Sequence, residues 1–335
     1  MGSADERLAR GVRFAAPYLV ELADVTLPPP ESGQVLVRAD FSGISGGTEM
    51  LAYRGELDSG IPKDETLGAL TGSFEYPFTY GYSAVGTVEA SRSDLGEGER
   101  VFAFHPHQTR FVVPAADVVP IGECDPRAAT LFPLVETALQ ISLDSGIRYR
   151  EVAAVVGLGP LGILTAVLLT RGGAVVVGSD PKPWRREAAQ ACGFEAVTPE
   201  ELGDAVRAAT RGRGVDFIVE ASGNPDALGE SLGLLATEGV AIVASWYGTK
   251  QVTLPLGAEF HRRRLEIRSS QVSTIGRRAA GWDLQRRRAE AQALLAELPL
   301  SFLASHTFPF ERAPEAYATL DRGDEGVVHV ALAYS

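Results

Sequence analysis

Val155-Val156-Gly157-Leu158-Gly159-Pro160-Leu161-Gly162 decides the fold of this chain. It follows a short apolar run, Val152 to Val156, and leads into another, Leu161 to Leu169. That order is strand, glycine turn, helix. The glycines keep the spacing G-x-G-x-x-G. The first permits a tight turn, the second lets backbone approach a pyrophosphate, and the third lets helix pack closely on strand. The helix then aims its unpaired N–H groups and positive dipole end at the phosphates. Gly157, Leu158, Gly159, Pro160, Leu161 and Gly162 are therefore expected to hold a dinucleotide. A second apolar run, Ala174 to Val177, closes on Gly178-Ser179-Asp180, with Asp180 lying 23 residues past Gly157. A carboxylate at that spacing suits the adenosine ribose hydroxyls and repels a 2′-phosphate, which predicts NAD. Arg185 and Arg186 keep NADP possible, because a guanidinium receives phosphate. The alternative is that Asp180 only caps the helix starting near Pro183.

At 335 residues the chain is long enough for two domains with ample core. Its 45% apolar and 22% charged residues are those of a soluble globular protein. A net charge of −12 with no long basic run argues against nucleic acid or an anionic membrane as partner. The densest basic stretches are His261-Arg262-Arg263-Arg264 and Arg286-Arg287-Arg288. The second is read as the solvated face of an amphipathic helix. Two cysteines, Cys124 and Cys192, cannot build a disulfide framework or a four-cysteine zinc site, and reduced thiols suit a cytoplasmic protein. The stretch Met1 to Arg7 lacks the apolar core of a signal peptide, and Met1-Gly2-Ser3 reads partly as a cloning remnant. No apolar run is long enough to cross a bilayer.

Upstream of about Asp125 the pattern is β-rich. Short alternating runs at Gln34 to Arg38, Val85 to Glu89, Arg100 to Phe104 and Arg110 to Val113 are punctuated by turn residues. Ser59 to Gly72 reads as a long polar loop. From Pro126 the period becomes helical to Ser145. Strands and helices then alternate: Val152–Val156, Leu161–Arg171, Ala174–Gly178, Trp184–Cys192, Leu202–Thr210, Asp216–Ala221, Asp226–Ala236, Val240–Ser245 and Leu265–Ser270. That alternation implies a parallel sheet with right-handed crossovers. Helices over Trp282–Leu298 and Glu311–Leu320 and a strand over Val327–Ala333 end the chain, which closes back onto its first region.

With these motifs the chain resembles the medium-chain dehydrogenase/reductase superfamily over nearly its whole length. The marks are Gly43-Ile44-Ser45-Gly46-Gly47-Thr48-Glu49, Tyr80-Gly81-Tyr82, Gly98-Glu99-Arg100-Val101 and the dinucleotide fingerprint. The first is closest to the S-G-I-S-x-G-T-E form of the bacteriochlorophyllide-dehydrogenase-like, threonine-dehydrogenase-like branch. The resemblance implies an α/β fold: a GroES-like β-rich catalytic domain, discontinuous over 1–125 and 273–335, and a Rossmann doubly wound parallel-sheet nucleotide domain over 126–272. It also implies dimerisation through the last strand of the nucleotide sheet, here Leu265 to Ser270. In zinc-bearing relatives the ligands are a cysteine in G-I-C-G-T-D, a histidine in G-H-E and a Cys, Asp or Glu before an apolar helix. Here Ser45 or Gly46, Tyr82 and Phe132 stand at those places. They do not make a zinc site, so no zinc is expected.

Without a Lewis acid, side chains must steady charge on the substrate oxygen and carry a proton. Tyr82 is expected to donate to that oxygen, or else to fill the vacated space. Thr48 matches the family's proton-relay threonine. Glu49 is either a catalytic acid or a structural carboxylate. His107 is a candidate proton carrier. His105, two residues before it, would share its face on an extended chain; it is either a substrate group or an ordinary hydrogen-bonded loop histidine, and Ser45 and Glu136 are substrate candidates, with Glu136 equally a capping or surface-pairing carboxylate. Ser222, Ser245, Trp246 and Tyr247 follow strand ends and should line the cofactor crevice. His261 with Arg262 to Arg264 forms an anionic subsite or pairs with surplus acids. The function expected is zinc-free interconversion of a secondary alcohol and ketone in a small polar or natural-product molecule, with NAD(H). The rivals are an NADPH-dependent enoyl or imine reductase and a non-catalytic cofactor-binding dimer.

Overall fold

The computed structural model describes residues 8–64 and 66–335. The signal-peptide and cloning-remnant expectations for Met1 to Arg7 lie outside the described residues. The chain divides into two compact units, with boundaries between Pro133 and Leu134 and between Ala291 and Gln292.

The first unit opens with β1 (Leu8–Ala16), β2 (Leu19–Thr26), β3 (Gln34–Ile44), α1 (Thr48–Arg54), β4 (Phe78–Thr79), β5 (Ala84–Ser91), β6 (Arg100–Ala103), β7 (Arg110–Pro114), β8 (Val118–Pro120) and α2 (Pro126–Ala129). α3 (Phe132–Ser145) leads into the second unit. A single helix from Pro126 to Ser145, as the periodicity suggests, does not form. Pro133 cannot donate within a continuous helix but is tolerated in a first turn, so a new helix starts beside it. The second unit runs β9 (Val152–Val156), α4 (Pro160–Arg171), β10 (Val175–Ser179), α5 (Pro183–Ala191), β11 (Glu195–Val197), α6 (Leu202–Thr210), β12 (Val215–Glu220), α7 (Pro225–Ser231), β13 (Leu235–Val243), β14 (Glu266–Ser269) and α8 (Leu284–Leu294). The tail supplies α9 (Leu300–Leu303), β15 (His306–Pro309), α10 (Ala313–Arg322) and β16 (Val330–Ala333) to the first unit.

In the first unit the strand order β15-β16-β3-β5-β6-β8, with β7 also on β3, makes one sheet, and β2-β1-β4 makes another. β16 lies antiparallel on β3, with Leu332 opposite Ser42. This register carries the tail into the site. Phe14, Ile44, Met50, Phe310 and Tyr317 are all fully or almost fully buried in one core cluster, so the tail belongs to this core. Burial on that scale, at about 25 cal/mol per Å² of apolar surface, is what holds two remote chain segments together.

In the second unit six parallel strands take the order β11-β10-β9-β12-β13-β14. Renumbered from β9, that is 3-2-1-4-5-6, the dinucleotide-binding order, with its reversal between β9 and β12. The fold is thus the GroES-like plus Rossmann α/β architecture. β11 was not visible in the sequence, being three residues long. The helix expected to reach Ala236 ends at Ser231. Leu235 instead enters β13, where it is fully buried opposite Val215. Among the described residues no helix is long and apolar enough to cross a membrane.

Candidate active site

The glycine turn of the second unit is built as its spacing requires. Gly157 has φ +93°, and a Cβ on it would sit 2.6 Å from Ser222 backbone at the end of β12. A Cβ on Gly162 would lie 1.9 Å from the Gly157 carbonyl oxygen, so α4 touches the turn backbone to backbone. A Cβ on Gly159 would meet nothing within 4 Å. That open space adjoins the first turn of α4, whose N–H groups have no intrahelical partners. The chemistry and the room fit a pyrophosphate. Pro160 fills the first helical position, where its missing N–H costs nothing. Leu158 offers the crevice no side chain: it is fully buried, lying where a Cβ on Gly178 would meet it at 2.8 Å.

Asp180 ends the second strand with only 2% of its surface exposed. Its Oδ2 accepts the Leu158 N–H at 2.9 Å, and Oδ1 accepts the Lys182 N–H at 2.9 Å. It therefore ties the fingerprint turn to the start of α5, and Arg185 covers it at 3.3 Å.

At the ends of β12 and β13, Glu220 organises the wall. Its fully buried carboxylate accepts the Ser222 N–H at 2.7 Å and the Ser222 hydroxyl at 2.5 Å on Oε1, and the Tyr247 hydroxyl at 2.6 Å on Oε2. Burial and that carboxylate hold the Tyr247 phenol above its ordinary range, as a neutral donor. Ser245 Oγ accepts the Gly223 N–H at 2.9 Å. Trp246 is 42% exposed. Sequence reasoning named Ser222, Ser245 and Tyr247 but missed Glu220, the residue that arranges them. Its signal was a lone carboxylate closing the apolar run Phe217-Ile218-Val219.

Glu136 pairs with Arg287, and this corrects the solvated-face expectation for Arg287. Both side chains are 3% exposed, and Arg287 donates to Glu136 Oε1 at 3.2 Å and to Gln140 Oε1 at 2.7 Å. Arg287 is thus not on a solvated face. A carboxylate buried on α3 demands a counter-charge, and α8 delivers it. His261 is exposed in the turn before β14, while Arg263 pairs with Glu259 at 2.5 Å and Arg264 with Glu238 at 3.2 Å.

In the first unit a polar cluster gathers around α1. Glu49, in the first turn, is fully buried. Its Oε1 accepts the Ser45 N–H at 2.8 Å, closing the Ser45-Gly46-Gly47 turn onto the helix. Its Oε2 accepts the Tyr317 hydroxyl at 2.5 Å and faces His107 Nε2 at 2.8 Å. His107 Nδ1 lies 2.7 Å from Ser42 Oγ, which lies 2.8 Å from the Tyr334 hydroxyl. With Glu49 accepting, His107 Nε2 is the donor of that bond. The fully buried imidazole lies against Gly81, where φ is +119° and a Cβ would come within 2.7 Å of the ring. Burial and the Glu49 charge keep Tyr317 protonated as a donor.

Beside this cluster, the Tyr82 hydroxyl shares hydrogen bonds with the Ser45 and Thr48 hydroxyls. Burial, then the Glu49 charge, push its pKa up to about 12, against the lowering effect of those two bonds. Tyr82 is a neutral O–H at physiological pH. Ser45, Thr48, Glu49, Tyr82 and His107 are thus brought together. His105 makes contacts separate from those of His107. Its ring stacks on Phe111 at 4.2 Å, its Nδ1 bonds the Pro106 carbonyl at 2.9 Å, and burial pulls its pKa down to about 4. It is a neutral packing group near pH 7. Ser42, Tyr317 and Tyr334 were missed, and no local signal marks them.

The zinc of the wider family has no fitting donors here. Phe132 is fully buried against Phe102, with ring centroids 4.7 Å apart, and carries no donor atom. Tyr82 is a protonated phenol, and Ser45 is a hydroxyl engaged with it. Among the described residues no group of three His, Cys, Asp or Glu could hold a metal ion.

Residues 160–285 match the family model described as zinc-binding dehydrogenase. The chain is 30% identical over 332 residues to the 2-desacetyl-2-hydroxyethyl bacteriochlorophyllide A dehydrogenase of Cereibacter sphaeroides, covering 92% of this chain and 93% of that one. Its fold is shared by the alcohol dehydrogenase TADH of Thermus sp. ATN1, at TM-score 0.76 and 22% identity, covering 97% of this chain and 100% of that one. It is shared too by the short chain alcohol dehydrogenase rspB of Escherichia coli CFT073 complexed with NADH, at TM-score 0.78 and 18% identity, covering 98% and 99%. With that full-length likeness beside the fingerprint and the strand order, the chain belongs to the medium-chain dehydrogenase/reductase superfamily and is an oxidoreductase of the alcohol dehydrogenase type.

Proposed function

We propose that this protein is a zinc-independent, NAD(H)-dependent oxidoreductase that interconverts a secondary alcohol and a ketone in a small polar or natural-product substrate. The observation that carries the reading is the Tyr82 hydroxyl, held by Ser45 and Thr48 at the place of a family metal ligand. When bound, the nicotinamide supplies or removes the hydride. The protein must then manage the substrate oxygen. Tyr82 donates to that oxygen as negative charge grows on it during ketone reduction. With a pKa near 12, Tyr82 is a stronger acid than an aliphatic alcohol, so passing its proton to an alkoxide is downhill. Ser45 and Thr48 hydroxyls steady the phenolate left behind. Glu49 acts through Ser45: by taking its N–H it holds the turn that aims both hydroxyls. His107 and Tyr317 in turn hold Glu49.

Asp180 favours NAD by its charge at the end of the second strand. β14 is the edge of the parallel sheet and offers its open side to a second copy, so we also propose a homodimer through Leu265 to Ser270. A panel of secondary alcohols and ketones, read at the nicotinamide absorbance band with metal content measured on the same sample, tests the main reading. Substrate-dependent turnover at less than a tenth of a zinc per chain is expected. Activity that tracks added zinc, or no dinucleotide binding, overturns it. Light scattering at the mass of one chain removes the dimer.

A further inference from the structure

Two buried carboxylates of the second unit are answered by guanidinium groups: Asp180 by Arg185 at 3.3 Å and Glu136 by Arg287 at 3.2 Å. Glu220 is not. It closes β12, and the sheet register sets it beside Val156, the residue before the glycine turn, and beside Val243 of β13. Its side chain is fully buried, yet it is bonded to groups that reach the surface, the exposed Ser222 and the half-buried Tyr247. Oε1 takes the Ser222 N–H and hydroxyl, and Oε2 takes the Tyr247 hydroxyl. All three donors are neutral, and among the described residues no Arg, Lys or His pairs with this carboxylate. A full negative charge thus lies just behind the crevice wall.

A doubly wound sheet takes a dinucleotide in two halves, one mononucleotide on each side of the strand-order reversal. The adenosine half is the one whose second strand ends in Asp180. β12, β13 and β14 form the other half, so Glu220 lies on the nicotinamide side. The oxidised nicotinamide ring is a cation and the reduced ring is neutral. A fixed anion in a water-poor wall tells the two apart, because charge interactions there are damped less than in water. The pyrophosphate meets the same carboxylate in both redox forms, so its share cancels when they are compared.

Resting on the function proposed above, we infer that Glu220 is a fixed counter-charge for the oxidised nicotinamide ring. It raises affinity for NAD+ relative to NADH and makes bound NADH a stronger hydride donor. In ketone reduction the hydride leaves the dihydropyridine with two electrons and forms a C–H bond at the carbonyl carbon. The carbonyl π pair moves onto oxygen, which takes the Tyr82 proton. The carbonyl is reduced, and the ring is oxidised and gains one positive charge. That growing charge is the one Glu220 offsets.

Calorimetric titration of the intact protein with NAD+, NADH and ADP-ribose tests this without turnover. Glu220→Gln keeps the shape of the side chain and an acceptor for Ser222, and removes the charge. It should raise the Kd ratio of NAD+ to NADH about five- to tenfold, while ADP-ribose binds no more weakly than to wild type. Tyr247→Phe leaves the charge and withdraws a donor that spreads it, so the ratio should move the opposite way by about twofold. Damage to the wall alone weakens both redox forms together and does not give ratio shifts of opposite sign. A ratio unchanged within about twofold in Glu220→Gln, or shifted the same way by both variants, overturns the inference and leaves the nucleotide site standing. Failure of wild-type protein to bind any of the three ligands overturns this inference together with the function proposed above.

Discussion

The two polar centres of this protein are built in opposite ways. The nucleotide crevice is made mainly of backbone from adjoining strand ends, and its defining residues sit within a short span: three glycines in six positions, then Asp180. The cluster around Glu49 is made of side chains drawn from β3, α1, the loop before β7, α10 and the residue after β16. Ser42 and Tyr334, 2.8 Å apart, are separated by 292 positions in the chain. The contrast teaches where chemistry is written locally and where only the fold assembles it. Binding a pyrophosphate needs close approach of main chain, which glycine spacing encodes. Fixing a buried polar side chain in one orientation needs hydrogen-bond partners on several sides, and these can come from any segment the topology brings near.

If the Glu49 cluster does the proton chemistry and the crevice only the binding, Tyr82→Phe separates them most sharply. Loss of one preorganised donor to a developing oxyanion costs about 10²–10³ in kcat. The NADH Kd should stay within about twofold of wild type, since no crevice group is touched. Steady-state kinetics and a fluorescence titration on the same preparation check it. A kcat unchanged within about threefold makes Tyr82 a space-filling aromatic and takes the proposed chemistry with it.

The converse variant is Gly162→Ala. Its Cβ would overlap the Gly157 carbonyl, which forces α4 and the turn apart. Overpacking of this kind costs about 1–3 kcal/mol, or roughly ten- to a hundredfold in NADH affinity if it falls on the binding geometry. The pH at which the Tyr82 phenol ionises, seen by ultraviolet difference titration, should not move. Retained affinity would show that the turn has slack its contacts do not suggest.

A third variant asks whether the Glu49 cluster is structure as well as chemistry. Glu49→Leu leaves the Ser45 N–H, the Tyr317 hydroxyl and the His107 ring facing an apolar side chain in a fully buried place. Orphaned buried donors cost about 1–3 kcal/mol each, shared here by relaxation. Urea denaturation should show a loss of about 3 kcal/mol or more, with Glu49→Gln losing less. A loss under about 1 kcal/mol would mean the pocket admits water and the network is not the closed one described.

How much of this was legible follows the same division. Gly157, Gly159, Gly162 and Asp180 announced the crevice, and the alternation of periods announced the parallel sheet. The structure shows Asp180 fastening Leu158 and the start of α5, which spacing alone does not reveal. Glu220 escaped notice because a single acid after an apolar strand carries no periodic signal. Arg287 was misread because a three-arginine run looks solvated until the buried Glu136 on another helix is known. Thr48, Glu49 and His107 were visible as residue types, but their mutual geometry was not. His105 bonds the Pro106 carbonyl and stacks on Phe111, the ordinary loop-histidine alternative. For Arg287 and for the Glu49 cluster the deciding partner lies on another element, far along the chain.

The smallest expected effect concerns pH and probes the first unit at His329. His329 is 4% exposed, with Nε2 3.0 Å from Thr130 Oγ1, and burial lowers its pKa from 6.5 to about 4. The ring packs where a Cβ on Gly43 would come within 3.0 Å of it, so there is little room for water to follow a charge inward. Among titratable neighbours in the cluster beyond Gly43, Glu49 is already bonded to three donors. The folded protein therefore holds this imidazole neutral while the unfolded chain protonates it near pH 6.5. The contribution to stability is full above pH 6.5 and is lost as pH falls from there toward 4, amounting to about 2 kcal/mol after allowance for relaxation. His329→Gln keeps a hydrogen-bonding group for Thr130 and removes the titration. Its unfolding free energy should fall less steeply than wild type between pH 6.5 and 4, and lie parallel to it above pH 7. His105, lowered to about the same value by burial, leaves a residual slope in both proteins. Identical acid limbs in wild type and His329→Gln would mean that the Thr130 pocket hydrates on protonation, and that the first unit is softer around Gly43 than its close contacts imply.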